Sequence, residues 1–472
     1  MFSFPTSATA LLAVATLAGC ASLSPDGNQT DINALTAGKT AGISAPVGRG
    51  DSAETREEVT RLLAGPLSAE SAVRIALLNN PGIHASMATL GISDADRVRA
   101  GTLPNPHFSI GRFVEGSKVE IERGIGFNVI GLLTLPWRAR YQNQQHEVAK
   151  LQAAQEVVKL AADTRKAWIN AVAAQQTASY MKDAKEAAEA SGELARRLAR
   201  VGNWSKLNQA REQAFVADAA AQLARSQNTA YAAREKLIRL MGLWGAQTQF
   251  TLSERLPDLP KTIADMPDIE ARALRDRLDV RASMAQAGYV ADNMGLTRST
   301  GFINALDAKY SRNTTFDNAT GNKEIKRGWE LELPLPIFDW GGASNARAQG
   351  QYMQSVARVR ETAIQARSEA RESYHAWRTA HDLALHYRDE VVPLRKFINN
   401  ELLLRYNGML SSVFDLLADT RTSIAAVNAS IEAQRDFWLA DTDLQTTLTG
   451  TSAGMAPLAA GAAASGSDAK GH

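Results

Sequence analysis

The chain has 472 residues, with 52 Lys and Arg set against 50 Asp and Glu, and only 6% of its residues are aromatic. Balanced charge excludes the basic excess of a dominant nucleic-acid surface. The length suffices for a large core or two similar halves, and sparse aromatics beside abundant alanine favour long helices over a β-sandwich.

Cys20 is the one cysteine, so no intramolecular disulfide staples the fold. Residues 8–19, Ala-Thr-Ala-Leu-Leu-Ala-Val-Ala-Thr-Leu-Ala-Gly, form an apolar run directly before it. The run is shorter than the ~20 residues needed to span a bilayer and suits the core of a secretory signal. Leu17-Ala18-Gly19-Cys20 resembles a bacterial lipobox. That resemblance implies a signal peptide over 1–19 and a lipoprotein carrying diacylglycerol and palmitate on Cys20. The start departs from the pattern in having no Lys or Arg; the first charged side chain is Asp26. Ala21 and Ser22 place no acid after the cysteine, the pattern of a lipoprotein sorted to the outer membrane. One acylated residue anchors only marginally, so a second membrane element is expected. Residues 20–66, rich in Gly, Ser, Thr and Ala, read as a lipidated extended arm, and 450–472 as a disordered tail.

Between these segments the chain reads as two repeats, 67–260 and 261–449. Ala85-Ser86-Met87-Ala88 with Gly91 recurs 197 residues later as Ala282-Ser283-Met284-Ala285 with Gly288. Each half opens with a predicted helix, 68–101 and 268–299. Strand-like stretches follow at 106–114 and 119–135, and at 302–311 and 325–337. In the last, Trp329, Leu331, Leu333 and Leu335 alternate with Glu330, Glu332 and Pro334, which places apolar residues and carboxylates on opposite faces. Asn318, Gly321 and Asn322 mark a turn, so each half carries one β-hairpin.

Stretches free of Gly and Pro come next, from Trp137 to Ser191 and in the second half from Gln351 to Val392. A helix of about 60 residues would be ~90 Å long at ~1.5 Å per residue. Turns are expected at Val201-Gly202-Asn203 and Tyr406-Asn407-Gly408, with returning helices over 203–241 and 409–449. Val413, Leu417, Thr420, Ile424, Val427, Ile431, Gln434 and Trp438 follow the alternating four–three spacing of a coiled coil, and Leu416, Ser423, Ser430, Phe437 and Leu444 add a second stripe. Two stripes suit a wall of helices with neighbours on both sides. Four strands from one chain cannot close a barrel in lipid, where each unpaired backbone group costs several kcal/mol. Hairpins that cross a membrane must therefore come from several copies sharing one barrel.

The run Gly202-Asn203-Trp204-Ser205-Lys206-Leu207-Asn208-Gln209-Ala210-Arg211-Glu212-Gln213 resembles the turn-to-helix motif of the TolC-type outer membrane efflux family. So do Arg234-Glu235-Lys236-Leu237 before Leu240-Met241-Gly242-Leu243, Leu335-Pro336-Ile337-Phe338-Asp339-Trp340-Gly341-Gly342, and Arg405-Tyr406 followed by Phe414-Asp415-Leu416-Leu417. The resemblance spans about residues 67–449. It implies a mainly α fold with a transmembrane β-barrel: a homotrimer whose four strands per chain form a shared twelve-stranded barrel in the bacterial outer membrane. A coiled-coil helical tunnel would extend into the periplasm, docked to a periplasmic adaptor (membrane fusion) protein and, through it, an inner-membrane transporter. The implied function is a passive exit duct for small molecules or ions. Asp415 matches a family acid at the periplasmic tip gate, with Arg405 a candidate partner. Where the family often has a second acid, this chain has Ala418 followed by Asp419; where the first half often has Asp, it has Asn208.

The alternative is a periplasmic coiled-coil adaptor or structural lipoprotein without a pore. No GxxxxGK[ST], GxSxG or HExxH motif is present, so no enzyme, cofactor or metal centre is expected beyond the covalent lipid. His375, His381 and His386 share one helix, but 375 and 386 are ~16 Å apart along it, too far for one metal ion.

Overall fold

The computed structural model describes residues 22–40, 52–300, 306–333, 338 and 340–452. Cys20, the proposed signal peptide and residues 453–472 lie outside the described residues, as do Leu335, Pro336, Ile337 and Asp339. In chain order the helices are α1 Gln29–Thr36, α2 Ala53–Leu63, α3 Ala69–Asn79, α4 Pro81–Gly101, α5 Val129–Leu133, α6 Leu135–Arg200, α7 Lys206–Met241, α8 Ile269–Asp276, α9 Leu278–Thr300, α10 Gly342–His386, α11 Val392–Asn407 and α12 Val413–Thr449. The strands are β1 His107–Glu115, β2 Lys118–Asn128, β3 Asp307–Asp317 and β4 Lys323–Glu332. The chain divides into two compact units. The first comprises the segment up to Asp31, Met87–Ala153 and Val280–Thr362; the second comprises Ile32–Ser86, Ala154–Asp279 and the chain from Ala363.

The first unit holds a single four-stranded sheet in the order β1-β2-β3-β4, every neighbouring pair antiparallel. The two expected hairpins are thus joined edge to edge through β2 and β3. β2 stops at Asn128 instead of 135, because the Asn128 side chain accepts from the Gly131 amide and caps α5. β3 runs on to Asp317, beyond the expected 311, before a turn closed by the Gly321 amide donating to the Asp317 carbonyl at 2.8 Å.

The expected extended arm carries α1 and α2. Short helices form there because local caps satisfy their free amides. Asp26 accepts from the Thr30 amide at 2.9 Å and from its hydroxyl at 2.6 Å, and Ser52 accepts from the Thr55 amide at 3.1 Å. These bonds hold the Asp26 carboxyl well below the usual carboxylate range, the Thr30 hydroxyl contributing most. Before α1, the Ser24 amide donates to Asp94 at 2.8 Å and Arg97 donates to the Ser22 carbonyl at 2.8 Å, so the arm is pinned to α4.

The second unit holds α3, α7, α8, α11 and α12 with most of α6 and the later part of α10. Where single helices were expected over 68–101 and 268–299, both break, at Asn80 (ψ 121°) and Arg277 (ψ 131°). Pro81 bars its predecessor from the helical region. The two breaks lie 197 residues apart, the offset of the Ala-Ser-Met-Ala motif. Each docks on the end of a returning helix. Asn79 donates to the Met241 and Gly242 carbonyls at 3.1 and 2.8 Å, and Asn80 to Leu240 at 2.7 Å. In the other half the Leu278 amide donates to Gly450 at 3.0 Å, and Lys39 donates to the Asp276 and Thr449 carbonyls at 2.8 and 3.2 Å. The Arg277 side chain, 1% exposed, meets Asp279 at 2.6 Å and Glu369 at 2.8 Å.

A π-helical turn, Tyr387–Val391, separates α10 from α11. Pro393 lacks an amide hydrogen and would press on the carbonyl four residues back; the extra residue in the turn makes room for it. Two apolar clusters hold the unit. One joins Leu67, Ile75, Trp168, Val172, Leu237 and Met241, and the other Ile269, Ala370, Trp377, Ala380, Phe437 and Leu444. Both tryptophans use their indole N–H, Trp168 toward the Leu67 carbonyl at 2.8 Å and Trp377 toward Asp441 at 3.1 Å.

Gly242 closes α7 at φ +67°, and a Cβ there would lie 2.6 Å from the Asn79 carbonyl oxygen. Gly242→Ala is therefore expected to cost at least the ~1–2 kcal/mol of left-handed strain. A lowered thermal midpoint by circular dichroism checks this; an unchanged midpoint would mean that the break at Asn80 does not depend on this approach.

Candidate functional site: a two-faced sheet and the hairpin tips

Register decides what the sheet can do. Residues directly opposite on antiparallel strands share a face, and the faces alternate along each strand. One face carries Phe108, Ile110 and Val114 of β1, Val119, Ile121, Ile125 and Phe127 of β2, Tyr310 and Phe316 of β3, and Ile325, Trp329 and Leu331 of β4. The other carries every carboxylate of the strands: Glu115, Glu120, Glu122, Asp307, Asp317, Glu324, Glu330 and Glu332. The alternation expected at 329–332 thus extends to all four strands as a segregation of carboxylates from most apolar side chains, with Phe113 on the acidic face and basic residues on the apolar one.

The acidic face also holds Gly111, Gly124, Gly126 and Gly328. A side chain at 124 would meet Lys309 and Ser109 at 2.7 Å, and one at 126 would collide with the His107 ring. Glycines thus thin the acidic face, where neighbouring side chains crowd together. The apolar face is largely exposed within the chain, Trp329 by 77% and Ile110 by 67%. Neither β1 nor β4 has a second neighbour among the described residues, so the sheet has two open edges.

At the hairpin tips of the second unit, α6 ends at Arg200 and α7 begins under the Ser205 cap, whose hydroxyl accepts from the Asn208 amide at 3.2 Å. The second tip repeats the device with a charge. Ser412 accepts from the Asp415 amide at 3.2 Å, and the Asp415 carboxylate accepts from the Ser412 hydroxyl at 2.8 Å and amide at 3.1 Å, a capping box. The hydrogen bonds from Ser412, then Ser411, hold the Asp415 carboxyl below its ordinary pKa. Arg405, exposed in the last turn of α11, lends its carbonyl to the Leu410 amide at 2.8 Å. Among the described residues no ion pair joins Arg405 to Asp415 within the chain.

Two contacts near the tips went unread in the sequence. The Arg421 guanidinium of α12 donates to Glu212 of α7 at 2.6 Å and lies over the Phe215 ring at 4.3 Å; Ser191 of α6 donates to the other Glu212 oxygen at 2.7 Å. Glu212 is buried, so the pair ties the first helical hairpin to the second. Asp419, also buried, accepts from Asn399 at 3.2 Å and sits 3.8 Å from Arg395. No spacing rule reaches these partners, since Glu212 and Arg421 are 209 residues apart. Deeper in the wall, Lys166 pairs with Asp443. Burial raises the pKa of both Asp441 and Asp443.

His381 is buried beside Phe437 with Nε2 3.0 Å from the Pro260 carbonyl, and His386 Nδ1 faces Glu390 at 3.1 Å. Among the described residues no group of three or more His, Cys, Asp or Glu is arranged to hold a metal ion, and no helix is long and apolar enough to cross a membrane.

Solved structures of outer-membrane channels share this architecture. The open-state MtrE channel of Neisseria gonorrhoeae aligns at 18% identity and a TM-score of 0.66, over 81% of this chain and 89% of that one. The CmeC channel of Campylobacter jejuni aligns at 17% and 0.65, over 86% and 88%. The outer-membrane channel OprN aligns at 17% and 0.67, over 88% and 95%. No protein-family model and no curated protein matches the chain. The chain therefore has the fold of outer-membrane channels, long antiparallel helices with a four-stranded antiparallel sheet, as the TolC-type resemblance implied.

The Glu212–Arg421 pair is expected to couple the hairpins by roughly 1–3 kcal/mol, the range for charge-assisted bonds, toward the lower end because Arg421 is partly exposed. A double-mutant cycle with Glu212→Gln and Arg421→Met, read by chemical unfolding, measures it. Strictly additive effects would assign the pair no energetic role.

Proposed function

We propose that three copies of this chain form the outer-membrane exit duct of a tripartite efflux pump, a passive route for small molecules or ions from the periplasm to the outside. The observation that carries this reading is the two-faced, open-edged sheet. An apolar face suits lipid, an acidic glycine-thinned face suits a water-filled lumen, and the free edges of β1 and β4 need partners that lipid cannot supply. Joining β1 of one copy to β4 of the next in a ring of three closes a twelve-stranded barrel. The likeness to outer-membrane channels supports the same assembly. The matching helix breaks at Asn80 and Arg277 support an internal repeat of 67–260 with 261–449. A pore-free adaptor would leave the apolar sheet face without an environment.

In this assembly a lipid on Cys20 adds membrane attachment to what the barrel provides, the tips dock a periplasmic adaptor, and an inner-membrane transporter delivers the cargo. The duct itself performs no covalent chemistry. Near the tips, three copies of Asp415 form a ring of carboxylates around the closed end, with Arg405 available to a neighbouring copy and the Glu212–Arg421 pair tying the first helical hairpin to the second in each copy.

Electrophoresis of the membrane fraction without heating is expected to give a band at three times the chain mass; a monomer in the soluble periplasmic fraction would sink the duct reading. Mass measurement of the mature N-terminus checks for a lipid on Cys20. At the tip, Asp415→Ala is expected to raise closed-state conductance in planar bilayers and to weaken cation preference. Because Asp415 also caps α12, Ser412→Ala serves as the control: it removes the cap, worth ~1 kcal/mol, and keeps the carboxylate. Equal leakage from the two variants would reduce Asp415 to a helix cap.

A further inference from the structure

All the arginines of the sheet lie on its apolar face. Arg123, Arg312 and Arg327 stand directly opposite one another on β2, β3 and β4, forming one row across three strands. Arg112 lies one row nearer the hairpin turns, opposite Ile121, and Lys323 lies beyond it over the Phe316 ring at 5.3 Å. This face carries five cations and no acid. The four arginines are exposed, and among the described residues none of them has an ion-pair partner.

Such a row opposes itself. Like charges directly across a ladder, with Cβ atoms ~5 Å apart, repel each other. Solvated surface arginines would be scattered over both faces, whereas here the segregation from eight carboxylates is complete. The row also has a defined level. On its helix side the face is purely apolar and aromatic: Phe108, Ile125, Tyr310 and Trp329, then Phe127 and Leu331. Exposed Leu132, Leu133 and Trp137 follow β2, and exposed Leu333, Phe338 and Trp340 follow β4. From Arg327 to Leu333 is six residues, or ~20 Å of strand at ~3.4 Å each. On the turn side of the row, Val114, Val119, Ile121, Phe316 and Ile325 mingle with Arg112 and Lys323, so the arginines stand where a belt free of charge gives way to a mixed one, on the side of the hairpin turns.

We propose that Arg123, Arg312 and Arg327, flanked by Arg112, form a binding site for the phosphates of anionic lipid headgroups at the border of the bilayer. The guanidinium presents a planar fork that takes phosphate oxygens in pairs, and neighbouring forks share one phosphate, turning their mutual repulsion into joint attraction. The aromatic row beneath them packs on the acyl chains. This inference rests on the barrel reading, and the lipid face would carry three copies of the site.

Full-length protein in phosphatidylcholine vesicles containing a small fraction of headgroup-labelled phosphatidylglycerol or lipid A tests it. Tryptophan-to-label energy transfer reads lipid enrichment, since Trp329 lies one row from Arg327. Wild type is expected to enrich the anionic lipid over a labelled zwitterionic one by roughly fivefold per arginine engaged. The triple variant Arg123→Gln, Arg312→Gln, Arg327→Gln is expected to lose that preference, and the corresponding Arg→Lys triple to keep a weakened one. Inorganic phosphate at equal concentration is expected not to displace the lipid; displacement by it would overturn a lipid site in favour of a free-anion site. Equal enrichment by wild type and the Gln triple would overturn the proposal, and so would absence of enrichment by wild type. Conductance in pure phosphatidylcholine separates the two readings. Channels from wild type and Gln triple alike leave the duct intact whatever the lipid result. Failure of wild type to insert in any bilayer removes the duct, and the lipid site with it.

Discussion

An antiparallel sheet of four strands has two edges, and each edge is a row of backbone N–H and C=O groups that need partners. In water those groups are hydrated, so an open edge costs little. In hydrocarbon each one left unpaired costs several kcal/mol. The sheet here gathers apolar residues from all four strands on one face, and toward the helices that face is free of charge, which suits it to hydrocarbon; its edges at β1 and β4 are open. The two properties are compatible only if another strand covers each edge. The proposed association of three chains rests on that constraint together with the fold's likeness to outer-membrane channels.

The helical unit meets a different requirement. Long helices without Gly or Pro are stiff, yet they must begin and end at defined places. Each half solves this by breaking its opening helix and docking the break on a returning helix. One half uses amide side chains, Asn79 and Asn80, against the carbonyl ends of α7. The other uses the buried Arg277 with Asp279 and Glu369, and Lys39 from the arm. The tips show the same divergence within a shared plan. Ser205 and Ser412 cap the two returning helices, but only the second cap is completed by a carboxylate, Asp415. A carboxylate thus stands in the cap of the second tip where the first tip has the amide Asn208.

Charge is distributed with equal economy in the sheet. Carboxylates all take the glycine-thinned face and arginines all take the apolar one. An acidic lumen would favour cations, while the opposite face would offer cations to whatever surrounds it.

Much of this was legible in the sequence because it depends on short-range periodicity. The alternation around Trp329 and Glu330 and the long helical stretches follow from backbone geometry repeating every two or 3.6 residues, and the turns at Gly202 and Gly408 from the residues that interrupt it. Local rules also explain why β2 ends at Asn128 and why α4 starts afresh at Pro81, though each is a competition between neighbours that a periodic reading passes over. What only the tertiary structure decided are pairings across hundreds of residues. It set Glu212 against Arg421, buried Asp419 while leaving Asp415 exposed, joined the two hairpins through β2 and β3, and aligned Arg123, Arg312 and Arg327 in one row. Register between distant strands and partners between distant helices are chosen by packing and by the need to satisfy buried polar groups, and neither leaves a spacing to be read along the chain.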